Sequence, residues 1–161
     1  MSAGLTTRRA PVPAELIAAL PAAPAPVGLF RGARRMGNAV YLSGLAPLDE
    51  AGVPMTGQVG TDIDLAEARA RARRIGLALL ANLQAEIGDL NRVSHVVKLN
   101  GYVLAAPGFA EIPQVIDGCS DVFIEAFGED GVHARTSIGA AALPGGISVE
   151  VEAIVELLDE A

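Results

Sequence analysis

The chain has 161 residues, with 12 Lys and Arg against 19 Asp and Glu, a net charge of −7; its length suits one domain with a sizeable core. The acidic balance argues against nucleic acid as the main partner, because phosphate contacts rest on clustered Lys and Arg. Half the residues are apolar, yet no apolar run approaches the roughly 20 needed to cross a bilayer, which argues against a membrane partner.

The N-terminal stretch offers no secretory pattern: Thr6–Arg9 is followed by the proline-broken Pro11-Val12-Pro13. With the single cysteine, Cys119, which excludes an internal disulfide framework, this fits a reducing cytoplasm. Pro13 stands at a plausible first helical position, so residues 14–20 can form two turns. The Pro- and Ala-rich residues 21–26 read as an extended connector. Two strand-like runs follow, Gly28–Ala33 and Asn38–Ser43, joined by Arg34-Arg35-Met36-Gly37. Turn chemistry at Asp49-Glu50-Ala51-Gly52 precedes a loop over 53–62.

Asp64 followed three residues later by Glu67 predicts a capped helix start. Leu65, Ala68, Ala72, Ile75, Leu79 and Leu83 then form one apolar stripe, and Gly88 stops the helix. Arg69, Arg71, Arg73 and Arg74 spread over a wide arc of it and read as a solvated face. Val93–Leu104 is a strand, with Val97, Leu99, Gly101 and Val103 on one face and Lys98, Asn100 and Tyr102 on the other. A second helix runs from about Phe109 or Pro113 to Phe127, burying Val115, Cys119, Val122, Phe123, Ala126 and Phe127; Gly118 weakens it and Gly128 ends it. Strands over about Ala134–Leu143 and Ile147–Leu157 complete the order β-β-α-β-α-β-β. That order predicts an α+β layer fold, a mixed sheet with both helices on one face. The other face, carrying Tyr41, Ile154 and Arg135, has the part-apolar character of a subunit interface.

Arg135 is the leading candidate for a ligand-gripping residue. A guanidinium in a half-buried strand is costly unless an anion meets it, and the twelve residues on either side hold only Glu125, Glu129 and Asp130 as acids. No ligand spacing links His95, His133 and Cys119, so no metal site is expected.

The blocks Gly37-Asn38-Ala39-Val40-Tyr41-Leu42-Ser43-Gly44, His133-Ala134-Arg135-Thr136-Ser137, Leu143-Pro144 and Val149-Glu150-Val151-Glu152-Ala153, in this order with helices between, resemble the YjgF/Rid family of reactive-intermediate (imine and enamine) deaminases, whose fold is also called chorismate-mutase-like. The resemblance covers about residues 28–157 and leaves residues 1–27 as an extension. It implies a homotrimer whose sheets line a central barrel, with small-molecule clefts between neighbouring subunits and no metal or organic cofactor. Residue by residue, Arg135 takes the place of the arginine that holds a substrate carboxylate, Ser43 and Gly44 line the cleft, and Glu150 is the glutamate associated with the attacking water. A planar guanidinium suits a carboxylate, a glycine admits close approach, and a carboxylate with a raised pKa can deprotonate water.

Three residues depart from the family pattern: Phe30 stands where a tyrosine is usual, Ser137 where a cysteine is, and Asp117 where an asparagine is. The extra charge of Asp117 opposes an acidic substrate, on the order of several kcal/mol at a few ångströms and an effective dielectric near 20, before screening. The expectation is therefore hydrolysis of small 2-imino or 2-enamino acids to 2-oxo acids and ammonia. The alternative is a non-catalytic trimer that binds a small carboxylate or another metabolite as sensor or scavenger. Ribonuclease activity, also attributed to the family, fits the acidic balance least.

Overall fold

A tight turn sets the first hairpin of the computed structural model, which describes residues 10–159 and so leaves Thr6–Arg9 outside the described residues. Gly37-Asn38 folds β1 (Ala33–Met36) antiparallel onto β2 (Ala39–Leu45). Gly37 sits at φ 59° while Asn38 keeps a negative φ, the pattern of a two-residue hairpin with glycine first, whose twist matches that of the strands. This corrects the expected strand over Gly28–Ala33: residues 34–36, read as a connector, pair with the residues after the turn, and residues 28–30 form a bend. The sequence of 28–33 is apolar enough for a strand, but the turn chemistry at Gly37 decides the register.

Helix α2 (Leu65–Ile87) begins as its sequence dictates. Asp64 Oδ1 accepts from the Glu67 backbone N–H at 2.9 Å, while the Glu67 carboxylate turns to Arg71 Nε at 2.8 Å, so half of the reciprocal cap forms. Gly88 closes the helix at φ 84°. The predicted stripe buries Ala68, Ala72, Ile75, Leu79 and Leu83, and the second half of the helix is enclosed further around, with Leu80, Ala81 and Asn82 also buried. Helix α3 (Ile112–Phe127) packs against α2. Gly118 is the reason they approach so closely: a Cβ there would collide with the Arg69 carbonyl oxygen, so the residue that lowers helix propensity makes the helix pair possible.

The sheet runs β1-β2-β5-β3-β4, with β5 (Val149–Leu157) central, β3 (Val93–Leu104) beside it and β4 (Ala134–Ala140) at the edge. Among the five strands of the described residues only the β3–β4 pair is parallel, joined through α3. Both helices cover one face, where Val149, Val151, Ala153, Val155 and Leu157 are buried. β5 starts at Val149, two residues after the expected Ile147, because Pro144–Gly146 forms a short 3-10 turn. β4 ends at Ala140, short of Leu143. On β3 the register shifts between Val96 and Lys98, so Val96 is buried and Val97 is exposed, the reverse of strict alternation.

The segment before the sheet belongs to the folded unit. Val12 and Leu16, the latter on the short helix α1 (Ala14–Ala18), join the buried core, and the Val12 N–H donates to Asn91 Oδ1 at 2.9 Å. A concavity of about 370 Å³ lies there, lined by Pro13, Glu15, Leu16, Ala19, Arg73 and Glu125. The arginines read as a solvated face are largely paired. Arg69 bonds Asp121 at 2.7 Å, Arg73 makes two bonds to Glu125 at 2.7 and 2.8 Å, and Arg71 also donates to the Thr56 carbonyl at 2.7 Å. The two α2–α3 pairs are half exposed and each stabilises by up to ~1 kcal/mol. No helix among the described residues is long and apolar enough to cross a membrane.

Candidate functional site

Arg135 does not lie on the open sheet face. Parallel pairing sets it level with Leu99, a core residue, and its guanidinium reaches α3. Nη1 donates to Asp117 Oδ1 at 2.7 Å and to Ser120 Oγ at 3.0 Å. This overturns the expectation that no protein acid meets Arg135: the partner is 18 residues back, outside the window of local acids, and the β3–α3–β4 crossover brings it alongside. The arginine side chain is 23% exposed and Asp117 38%, so the pair is half-buried, with its outer edge open. Both bonds use one terminal nitrogen; among the described residues, Nε and Nη2 have no partner. Asp117 Oδ2 stands 3.9 Å from Arg69 Nη1, an ion pair too long for a hydrogen bond.

The hydrogen bonds continue in one direction. The Gly131 carbonyl can only accept, so His133 Nδ1, 2.7 Å away, carries the proton. In the neutral ring Nε2 then accepts, and Ser120 Oγ–H donates to it at 3.0 Å while receiving the Arg135 bond. Burial, and to a lesser extent the Arg135 charge, hold the His133 imidazole below its ordinary pKa, against the opposing effect of the Gly131 carbonyl. Phe123 packs edge-on to the ring with centroids 6.1 Å apart. Ser137 follows Arg135 on the same face, and its hydroxyl is buried without a partner among the described residues. Cys119 is buried on the inner side of α3, and burial pushes its thiol far above the usual range, which leaves it unreactive.

Glu150 lies on the other face of the sheet, opposite Tyr102 on β3. Its neighbour across β2 is a bulge: Leu42 pairs with Ala153 and Leu45 with Val151, so Ser43 and Gly44 together face Glu152. Gly44 touches the Glu150 carboxylate so closely that a Cβ on it would collide with Oε1. Ser43 Oγ donates to the Arg31 carbonyl at 2.6 Å and its N–H to the Gly32 carbonyl at 3.0 Å, which anchors the bend that carries Phe30. Phe30 is 48% exposed. Burial, and then the Glu152 charge, raise the Glu150 pKa above its ordinary value. Glu152 is itself held in place, accepting from Asn100 Nδ2 and Tyr102 Oη, both at 3.0 Å.

Two groups of predicted residues result. Arg135 and Asp117 meet between β4 and α3, with Ser137 two residues further along the same face of β4, while Glu150 and Gly44 meet on the exposed sheet face with Ser43 and Phe30 at its β2 end. One chain does not unite them. Ser120, Glu152 and Asn100 were missed as participants; Glu152 was readable from its i+2 spacing to Glu150, whereas Ser120 gives no signal in sequence. Among the described residues no group of three or more His, Cys, Asp and Glu converges closely enough to hold a metal ion.

A five-stranded mixed sheet backed by two helices, with an arginine on its edge strand and a Gly–Glu contact on its bare face, defines a YjgF-like α+β protein. The family described as "YjgF/chorismate mutase-like, putative endoribonuclease" matches residues 12–157, and the chain belongs to it. Residues 12–27, α1 included, thus fall inside the match. Protein TCP17 of Trypanosoma cruzi is 43% identical over 86% of this chain and 87% of its own length. The 2-iminobutanoate/2-iminopropanoate deaminase of Dermatophagoides farinae is 29% identical over 86% of this chain and 94% of its own. Among solved structures, Atu1372 of Agrobacterium tumefaciens, a protein of unknown function, superposes with a TM-score of 0.78 at 39% identity, covering 83% of this chain and 86% of that one.

Proposed function

We propose that the protein hydrolyses small 2-imino and 2-enamino acids to 2-oxo acids and ammonia, at a cleft completed by a neighbouring copy in a homotrimer. The observation that carries this reading is the half-buried Arg135 guanidinium with its Nε and Nη2 donors unpaired among the described residues. Such an edge forms two parallel charge-assisted bonds to a carboxylate. Arg135 and Glu150 lie on opposite faces of one sheet, so a neighbour is needed to bring one copy's arginine to another's glutamate. Exposed Phe30, Tyr41 and Ile138 supply apolar area for such a contact. The deaminase name of the mite relative supports the same chemistry.

In this reading Arg135 fixes the carboxylate and the Ser43–Gly44 bulge presents backbone to the imine. Glu150, its pKa already raised, takes a proton from water as the water oxygen bonds to the carbon of the protonated imine and the C=N π pair moves to nitrogen. It returns that proton to the amine, and as the C–N bond breaks the hydroxyl proton leaves with the ammonia as ammonium. Positioning and one acid–base group suffice, because such imines also hydrolyse in water. No cofactor enters the scheme, and a reducing cytoplasm is the setting proposed for the single buried thiol.

An amino-acid oxidase generates the imine in place, and semicarbazide traps what escapes. Wild-type protein is expected to suppress the semicarbazone and raise 2-oxo acid formation. Arg135→Ala should lose about a hundredfold in kcat/KM, the equivalent of two charge-assisted hydrogen bonds. Formation equal to a protein-free blank, or an Arg135→Ala variant as fast as wild type, rejects the proposal. A second reading, a metabolite-binding trimer without turnover, is favoured by the Asp117–Arg135 pair and by the missing hydroxyl at Phe30. Calorimetric binding of 2-oxobutanoate without imine hydrolysis selects it. Pairing of Arg69, Arg71 and Arg73 with acids leaves no basic stripe on α2 to favour RNA.

A further inference from the structure

We infer that Asp117 sets the substrate class: the site takes compounds with a single carboxylate beside an N–H-bearing nitrogen and turns away dicarboxylates. The inference deepens the proposed function and rests on Arg135 being the anion-binding group. The charges around that group decide the matter. Asp117 bonds Nη1 at 2.7 Å; Arg69, from α2, stands 3.9 Å from Asp117 Oδ2 and bonds Asp121 at 2.7 Å. His133 is kept neutral by burial and by the guanidinium. The two arginines are thus balanced by two aspartates, and the locale has no net positive charge to attract a second anionic group.

What remains is a dipolar edge. Nε and Nη2 of Arg135 offer donors that fit one carboxylate, and Asp117 Oδ2 offers an acceptor without a hydrogen-bonding partner among the described residues. Asp117 is 38% exposed, so that oxygen is reachable. A ligand that gives its carboxylate to the guanidinium and an imine or ammonium N–H to Asp117 satisfies both groups. A second carboxylate close by meets the aspartate charge in a half-buried, weakly screened place. A keto group in place of the nitrogen leaves the Asp117 oxygen with nothing to accept.

Calorimetry on the intact protein with three probes, 2-aminobutanoate, 2-oxobutanoate and 2-oxoglutarate, tests this, alongside kcat/KM for imines generated from 2-aminobutanoate and from glutamate. Wild type is expected to bind in that order, and to favour the monocarboxylate imine at least tenfold. Asp117→Asn, which keeps the shape and removes the charge, should shrink the mono- to dicarboxylate ratio at least tenfold, with an unchanged far-ultraviolet dichroism spectrum to show an intact fold. Equal affinity for 2-oxobutanoate and 2-oxoglutarate in wild type, an unchanged ratio in Asp117→Asn, or no binding of any probe overturns the inference. Ordered binding without imine hydrolysis leaves Asp117's role standing and removes the deaminase reading.

Discussion

The β4–α3 flank and the β2–β5 flank hold the two halves of the candidate site in opposite ways. On the first, every charge is answered: Asp117 and Ser120 share Arg135 Nη1, and Ser120 and the Gly131 carbonyl fix His133. On the second, two glutamates stand side by side on one strand, and Glu150 lies where a Cβ on Gly44 would collide with its carboxylate. The first is a half-buried arginine paired through one nitrogen; the second is an acid whose proton affinity burial and a like charge have raised. In the proposed reading, binding falls to the donors that Arg135 keeps unpaired among the described residues and proton transfer to the carboxyl on the other flank.

Replacing the acid breaks this comparison most severely. Glu150→Gln is expected to lower imine hydrolysis by about 10²–10⁴-fold, the usual contribution of a positioned acid–base group, with little change in 2-oxobutanoate affinity. The same substitution should stabilise the fold at neutral pH. A carboxyl whose folded pKa is raised contributes stability below the unfolded value, 4.5, and loses it as pH rises through the folded value. The thermal melting temperature of Glu150→Gln should therefore exceed that of wild type at pH 7 and converge with it below pH 4.5. A variant with full activity, or one less stable at pH 7, means that Glu150 is an ordinary solvated residue of an alternating strand.

Steric change sharpens the contrast next. A methyl group at Gly44 overlaps the Glu150 carboxylate, so Gly44→Ala should destabilise by about 1–3 kcal/mol, the usual cost of overpacking. Combining it with Glu150→Ala removes the collision, and the double variant should recover most of that loss in a denaturant-unfolding cycle. Additive losses would show that the bulge, and not the carboxylate, sets the need for glycine.

The sequence was most informative where one element explains itself. The Asp64 cap on the Glu67 N–H, the α2 stripe from Ala68 to Leu83, the Gly88 stop and the alternation of β5 from Val149 onward are local patterns, and these parts appear as read. It misled where pairing across the sheet decides. The apolar residues 28–33 resemble a strand, yet the Gly37 turn assigns 33–36 to the hairpin. Strict period two put Val97 inside, yet the register shift against β5 puts Val96 there. The candidate site was half legible. Arg135, Gly44, Glu150 and Asp117 could be named, but the ion pair between Asp117 and Arg135 could not, because it forms only through the crossover from α3 to the edge strand. The face that Arg135 occupies follows from its register with Leu99, which no window around residue 135 contains.

The smallest expected effect lies on the satisfied flank. His133 has a folded pKa below its ordinary 6.5, chiefly from burial and with help from the Arg135 charge. The unfolded chain takes up a proton as pH falls through 6.5 while the folded protein resists it. The stability that His133 contributes is therefore present above pH 6.5 and lost progressively below it, down through the folded value. A His133→Gln variant, which has no proton to take up, should melt with a flatter pH dependence between 7 and 5 than wild type. In Arg135→Ala the wild-type imidazole should titrate closer to 6.5, which nitrogen NMR of the ring reads directly, together with the Nδ1-protonated tautomer. An imidazole that titrates at 6.5 in both proteins, or carries its proton on Nε2, would mean that the Ser120 bridge does not couple His133 to the guanidinium, and the two flanks would then differ in charge but not in connectivity.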